Sequence, residues 1–351
     1  MSSLLEDRYR RALRMLPGSY RKAWEEDMVA TFLQGAYAAD PDDPEGVELS
    51  HPDRSELASI IALSVRLRLG VLGAAPRYLA WGAAARRVAL VGLLAHTIVA
   101  LVGVVLEVWI IQRLPGVIIP EGVGLGYPSQ WQALWSLTAL LWLPAYLSIV
   151  HGHLRVGRAL AILAFLPRVL AVVVERAGGH TAFSVSQAYW LLFDLMPLLA
   201  LAAFHQGAPR VEPRRWLLAL PVGVVVTFAA VLLGRPAHDG YPLVDLPGLW
   251  CVGLCAAAAV HLVTTGGGAQ RGAPHWPLAL AVLATGAFGL RALTLLDYVR
   301  FTFPLPNRST MIAVSLAEAV AVLVVVLWLG LPAKRALRAL PAWPPGPAAP
   351  P

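Results

Sequence analysis

Five ionisable residues stand inside segments that are otherwise apolar enough to cross a membrane. They are Glu107, Arg168, Asp194, Arg291 and Glu318. A charged side chain at the centre of a membrane helix costs about 2.5–3.5 kcal/mol on insertion scales, so it needs an oppositely charged partner or a polar cavity. Counted along the predicted spans at ~1.5 Å per residue, all five fall in the outer half of the bilayer. Two interpretations follow: a polar cavity that binds a ligand or ion, or contacts between helices that hold the bundle together, which is the commoner use of such residues.

Matched depths predict which of these charges pair. Arg168 lies about seven residues before the outer end of its span, and Asp194 lies about eight residues after the outer start of the next one. Because the two spans are consecutive and antiparallel, we expect an Arg168–Asp194 ion pair. The same count predicts a pair between Arg291 and Glu318. Glu107 lies near the outer end of the first span, where its side chain would reach the interface.

The elements that must position these residues are eight long apolar segments. They cover residues 88–112, 131–150, 157–175, 186–206, 216–234, 248–265, 276–296 and 310–331. About 20 apolar residues span the ~30 Å hydrocarbon core as a helix. With 58% hydrophobic and 14% charged residues, the chain is predicted to be all-α, a polytopic transmembrane bundle of about eight helices at 88–332 preceded by a small helical cytoplasmic module. Counts of six or seven also fit, because the charges at 266–275 and 297–309 fix the orientation of the last spans weakly.

The charge distribution predicts the orientation of the bundle. The chain carries a net charge of +7, and its basic excess lies in the connections between apolar segments rather than in residues 1–87. The connections on the side of the two termini are the more basic, so the positive-inside rule predicts that both termini are cytoplasmic. The expected location is the plasma membrane. The same location of the charge argues against nucleic-acid binding and makes the lipid bilayer the expected partner.

The polar remainder of the chain divides into four parts. They are a two-helix module at 1–37, an acidic linker at 38–53, an amphipathic juxtamembrane helix with its connection at 54–87, and a Pro-rich tail at 333–351. Pro17-Gly18 separates the two helices of the module. The helix after residue 53 has an apolar side and ends with Arg66 and Arg68, which is typical of a helix on the inner membrane surface.

No catalytic or metal-binding pattern stands out in the sequence. The chain has no Gly-x-Ser-x-Gly and no His-Glu-x-x-His, and the glycines at 266–268 lack the Gly-Lys-Ser/Thr of a phosphate loop. His96 and His261 are isolated in apolar helices, which is typical of hydrogen-bonded core histidines. Cys251 and Cys255 share a helix face, where small packing residues are common. We therefore expect no enzyme activity, cofactor or metal.

The segment RYRRALRMLPGSYRKAWEEDMVATFL at 8–33 carries a resemblance to a known type of module. An Arg-rich helix, Leu-Pro, an aromatic-Arg pair and a Glu-Glu pair resemble the permease-prefix and HAAS-type modules that precede membrane segments in bacterial proteins. The stretch SELASIIALSVRLRLG at 55–70 is similar to pre-membrane helices of actinobacterial membrane proteins. The resemblance implies association with a PadR-type transcriptional regulator. The module residues implied to bind such a partner are Arg10, Arg11, Tyr20, Arg21, Glu25 and Glu26.

Two functions are therefore predicted as alternatives. The first is a membrane-anchored signalling or regulatory component whose N-terminal helices contact a cytoplasmic partner. The second is a transporter or permease subunit with a polar cavity in the outer half of the membrane; as an ABC permease it would need an ATPase from another chain, since none is encoded here.

Overall fold

A computed structural model describes residues 3–71, 74–113, 138–177, 185–205, 211–233, 245–265, 274–300 and 308–341. Within these ranges the regular structure is helical and contains no strand. The first helices are α1 Leu4–Leu13, α2 Gly18–Ala39, α3 Pro44–Leu49, α4 Arg54–Arg68 and α5 Pro76–Arg113. They are followed by α6 Trp142–Val150, α7 Leu154–Ala177, α8 Val185–Ala200, α9 Pro213–Leu233, α10 Leu246–Thr265, α11 His275–Arg300 and α12 Arg308–Ala339. The expected all-α architecture is confirmed.

The N-terminal module contains four helices, α1 to α4, where the sequence predicted two helices, an acidic linker and a separate juxtamembrane helix. Ser3 caps α1 by accepting a hydrogen bond from the Glu6 backbone N–H. In the segment predicted as an acidic linker, Asp43 caps the short helix α3 in the same way. The linker prediction was therefore incomplete, because six residues do not extend over enough turns to show helical periodicity.

The core of the module is formed by side chains from α1, α2 and α4. Its buried apolar residues include Tyr9, Leu13, Leu16, Val29, Ile60 and Leu67. The ring of Tyr9 stacks on that of Phe32 with centroids 3.9 Å apart. Ser64 Oγ on α4 donates a hydrogen bond to the Met15 carbonyl. Since burying one such side chain contributes about 1.5–3 kcal/mol, α4 is a structural part of the module and not an independent surface helix.

The chain is a multi-pass membrane protein. Among the described residues, six helices are long and apolar enough to cross a bilayer: Pro76–Val105, Leu154–Val173, Pro213–Leu232, Leu246–Thr265, His275–Arg300 and Arg308–Ala339. The predicted spans 131–150 and 186–206 are not among them. Of the first, the described part contains only the nine-residue α6, and the second forms the 16-residue α8 followed by a 3-10 turn. The predicted count of eight is therefore not confirmed.

The first membrane helix begins earlier in the chain than the apolar segment 88–112 from which it was predicted. α5 starts at Pro76, whereas the segment starts at Val88, so most of the predicted connection is helical. Arg86 and Arg87 lie inside this helix, and the Arg87 guanidinium is 5.0 Å from the ring centroid of Trp276 at the start of α11. Trp276 in turn stacks on Trp216 of α9 at 6.3 Å. We call this arginine- and tryptophan-bearing level the basic end of the bundle.

Helices α5 and α11 occupy the interior of the bundle. One apolar core joins α5 to α8, α10, α11 and α12, and a second joins it to α6, α7, α8 and α9. By contrast, α9 has no buried residue in its apolar window, and its valines at 222, 225 and 226 are mostly exposed. Peripheral helices with apolar outer faces are what a lipid environment requires.

Two candidate intramembrane polar sites

The first polar site is a triad formed by His96, Arg168 and Asp194, here called the Asp194 triad. Asp194 on α8 is only 2% exposed. Its Oδ2 lies 3.0 Å from Arg168 Nη1 on α7, and its Oδ1 lies 3.0 Å from His96 Nε2 on α5. His96 Nδ1 lies 2.7 Å from the carbonyl oxygen of Gly92. Three helices, of which α5 and α7 are long enough to cross a membrane, are thus held together at one carboxylate.

The contacts of His96 determine how many protons the triad holds. A carbonyl oxygen only accepts, so Nδ1 carries a hydrogen and donates it to Gly92. The contact between Nε2 and the Asp194 carboxyl group then needs a second proton, because a neutral imidazole has only one N–H. That proton resides either on Nε2 or on the carboxyl group. In both cases the triad, together with the Arg168 guanidinium, has a net charge of +1.

A small cavity adjoins the Asp194 triad. Its volume is about 110 Å³, and its walls include Trp142, Trp190 and Trp250. The Arg168 guanidinium carbon lies 5.0 Å from the Trp190 ring centroid, in cation–π geometry. Trp190 Nε1 is buried and has no hydrogen-bond partner among the described residues. Since a water occupies about 30 Å³, the cavity suits a few waters or a small ion, and it is well below the 300–1,000 Å³ of ordinary ligand pockets.

The second polar site surrounds Arg291 on α11 and is here called the Arg291 cluster. Arg291 is 1% exposed; its Nη1 donates to both carboxylate oxygens of Asp245 at 2.8 and 2.7 Å, and its Nη2 lies 2.5 Å from Glu318 Oε2 on α12. The Tyr298 hydroxyl also donates to Asp245, at 2.6 Å. A Cβ atom at Gly248 would lie 2.7 Å from Glu318 Oε1, so a larger residue there would displace the Glu318 carboxylate. With both carboxylates ionised, this cluster has a net charge of −1.

The two sites lie at different depths. Arg168 is ten residues along α7 from Arg158, which lies at the basic end, and this corresponds to ~15 Å of helix. Arg291 is fifteen residues along α11 from Trp276, or ~22 Å. Measured from the basic end, the Asp194 triad is therefore ~7 Å less far along its helix than the Arg291 cluster. The outer-half position of these residues stays a prediction.

Both ion pairs predicted from matched depth are present in the structure. The side chain of Glu107 lies outside the described residues. Sequence reasoning treated His96 as an isolated core histidine and placed Asp245 in a connection. The sequence position of Asp245 could have identified it, because it stands before Leu246-Pro247 at the start of an apolar helix, which it caps by accepting a hydrogen bond from the Gly248 N–H. For His96 the sequence indicates less: only that a polar residue in a membrane helix needs a partner.

In the module, the residues predicted to bind a partner mostly bind one another. Arg10 donates to Glu6 and forms two hydrogen bonds of 2.8 Å with Glu26, which fixes α1 against α2. Arg21 lies 3.9 Å from Glu25. Arg11 donates to the backbone carbonyl of Asp7, and Tyr20 lies near Trp24, with ring centroids 6.5 Å apart. Trp24 on α2 is 47% exposed.

The described residues contain no group of three or more His, Cys, Asp or Glu side chains that could hold a metal ion. No protein-family model matches the chain, and comparisons with curated proteins and with solved structures found no match.

Proposed function

We propose that the chain is a signalling or regulatory component of a bacterial plasma membrane, in which the bundle senses a change and the N-terminal module passes it to a cytoplasmic partner. One observation carries this proposal. The same uninterrupted helix, α5, packs against the core of the module through Tyr78 and bears His96 of the Asp194 triad. The two residues are separated by ~27 Å of helix, so a shift of α5 at the triad would be transmitted to the module.

The junction between the module and α5 is too tight to slide freely. Gly70 has a positive φ of 81°, and a Cβ atom there would lie 2.8 Å from the Tyr78 carbonyl oxygen. A Cβ atom at Gly82 would lie 1.9 Å from the Leu69 carbonyl oxygen. These distances mean that the backbone after α4 rests directly on the first turns of α5. The module and the helix therefore move as one body.

In this proposal the partner binds the module from the cytoplasm, where the basic connections place both termini. The resemblance of residues 8–33 favours a PadR-type regulator. The paired arginines and glutamates stabilise the module, and Trp24 is the exposed aromatic side chain available beside them. Aromatic residues of this kind are enriched among the energetically important positions of protein interfaces.

The test is whether a perturbation at the triad reaches the module. In full-length protein in nanodiscs, Asp194→Asn should change amide hydrogen exchange in peptides from residues 4–33. Gly82→Ala should abolish this response, because the added methyl group separates the module from α5. Gly103→Ala is the matched control, since a Cβ atom at this position of the same helix meets no atom within 4 Å.

A response that is equal in the Gly82→Ala and Gly103→Ala backgrounds would show that α5 does not couple the two parts. In the same preparations, a regulator of the PadR type that binds wild type and the Trp24→Ala variant equally would exclude Trp24 as the contact.

Transport remains the alternative function, and the cavity at the Asp194 triad is what favours it. Its volume admits water or a small ion, and His96 and Asp194, which lie 3.0 Å apart, form part of its wall. Proteoliposomes with a pH-sensitive dye inside would report such a movement. Flux that is lost in Arg168→Ala, with the module's hydrogen exchange unchanged, would favour transport over signalling.

A further inference from the structure

A large open pocket lies at the basic end, between the module and the bundle. Its volume is about 740 Å³. Its basic lining residues are Arg66 at the end of α4, His153, Arg155 and Arg158 at the start of α7, and His205 after α8. None of the described residues that line it is acidic. The pocket is therefore distinct from both intramembrane sites and carries charge of one sign.

The three arginines of this pocket have spare hydrogen-bonding capacity, and Arg158 is also held in a fixed orientation. Arg158 Nη2 donates to the carbonyl oxygens of Leu201 and Phe204 at the end of α8, which orients the guanidinium. Its Nε is buried without a hydrogen-bond partner in the described part of the chain. Arg66 and Arg155 are exposed and form no ion pair with any described residue. The first turn of α7 also lies here, and the positive end of a helix dipole favours an anion.

An apolar track on α7 begins at the edge of the pocket. Val156 lines the pocket, and Leu163 and Leu170 follow it at intervals of seven residues. Positions seven residues apart lie on one side of a helix. Each of the three is exposed by half or more. The pocket is thus continuous with a stripe that faces the acyl-chain region.

We propose that this pocket binds the phosphate group of an anionic phospholipid, whose acyl chains lie along the α7 stripe. Guanidinium groups match phosphate oxygens through paired hydrogen bonds. The position at the arginine and tryptophan level is where phospholipid headgroups are found, and basic pockets between membrane helices are suited to them. A soluble phosphate compound would use the same donors but would gain nothing from the stripe.

A bound headgroup would bridge the two parts of the protein. Arg66 belongs to the module, whereas Arg155 and Arg158 belong to the bundle, so one phosphate would contact both. Anionic lipid would then hold the module on the bundle.

The experiment compares full-length protein in phosphatidylcholine nanodiscs with and without phosphatidylglycerol, and counts bound phosphatidylglycerol by native mass spectrometry. The double variant Arg66→Ala/Arg155→Ala should bind it about 30-fold more weakly, since each basic residue near an anionic surface contributes roughly fivefold. Arg214→Ala is the matched control, because Arg214 is exposed near the start of α9 and does not line the pocket. It should bind like wild type. The single variant Arg155→Gln, expected to be about fivefold weaker, provides the same comparison if the double variant folds poorly.

Three outcomes would overturn the proposal. Equal binding by wild type and both pocket variants would show that the pocket is not the site. Equal weakening in Arg214→Ala would show diffuse attraction to the whole basic end. Inorganic phosphate would instead be the ligand if millimolar phosphate displaced bound phosphatidylglycerol and stabilised the protein against unfolding equally in pure phosphatidylcholine nanodiscs.

Discussion

The Asp194 triad and the Arg291 cluster contain similar residue types in the same bundle, but their surroundings differ. In the Arg291 cluster one guanidinium lies between two carboxylates, a tyrosine hydroxyl donates to one of them, and α10, α11 and α12 pack closely around it. In the Asp194 triad one carboxylate lies between a guanidinium and an imidazole, and a cavity of about 110 Å³ adjoins it. Arg168 is 44% exposed, whereas Arg291 is 1% exposed.

This difference separates a structural role from a functional one. The charges of the Arg291 cluster bind one another and hold three helices together, and Arg291 Nε is its one buried guanidinium nitrogen without a hydrogen-bond partner among the described residues. The triad has a cavity beside it, an unpaired indole N–H, and a proton between His96 and Asp194 whose location can change. If either site responds to a signal, the triad is the one with the chemical means to do so. The following predictions test that distinction.

The largest effect is expected for Arg291→Met. The substitution leaves Asp245 and Glu318 buried without their cation, and breaking a buried ion pair in this way costs about 3–5 kcal/mol. Arg168→Met should cost less than half as much, because Asp194 keeps its contact with His96 Nε2, whereas Arg291→Met removes the cation from two carboxylates. Unfolding in detergent, followed by circular dichroism with increasing SDS, measures both losses. Equal losses in the two variants would mean that the triad is as structural as the Arg291 cluster.

Asp194→Asn should have an intermediate effect. The amide keeps the shape but removes the negative charge, which leaves Arg168 without its ion-pair partner at a cost of about 1–3 kcal/mol. Lower expression and a lower unfolding midpoint would indicate a structural pair, whereas unchanged folding with a lost ligand response would indicate the cavity. Glu318→Gln is the matched control, because Arg291 keeps both hydrogen bonds to Asp245 and the cluster loses its excess negative charge. We expect Glu318→Gln to be the milder of the two, and the reverse order would contradict the charge assignment.

Sequence reasoning identified two pairs on consecutive helices and missed His96, whose partner Asp194 lies on a distant one. Arg168 and Asp194 could be matched because α7 and α8 are antiparallel neighbours, so depth alone brings them together. His96 is 98 residues from Asp194, and no local pattern shows that α5 packs against α8. Three of the module's four helices were predicted but their packing was not, since the contact of Ser64 with Met15 joins segments 49 residues apart. Long-range packing, which depends on the whole fold, decided both cases.

Trp190→Phe should change stability very little. The indole N–H is buried without a partner among the described residues, so removing it loses no hydrogen bond and removes an unsatisfied donor. We expect an unfolding midpoint equal to or slightly above that of wild type. A clear loss of stability would show that the N–H has a partner, such as a water in the cavity, and that this water is part of the fold.

The smallest effect is expected at an exposed pair, which provides a reference for the buried ones. Hydrogen bonds from Arg10 hold the pKa of the Glu26 carboxyl group below its usual value of 4.5. A carboxyl group whose pKa is lowered by folding stabilises the module fully above the unfolded pKa, and this contribution is lost as the pH falls through the folded pKa. Amide hydrogen exchange in α1 and α2 should therefore increase more below pH 4.5 in wild type than in Glu26→Gln, after correction for the intrinsic pH dependence of exchange. Water screens this pair, so its contribution to stability should be far smaller than the stability lost in Arg291→Met. Identical acid sensitivity in wild type and the glutamine variant would show that the Arg10–Glu26 pair contributes nothing measurable to the module.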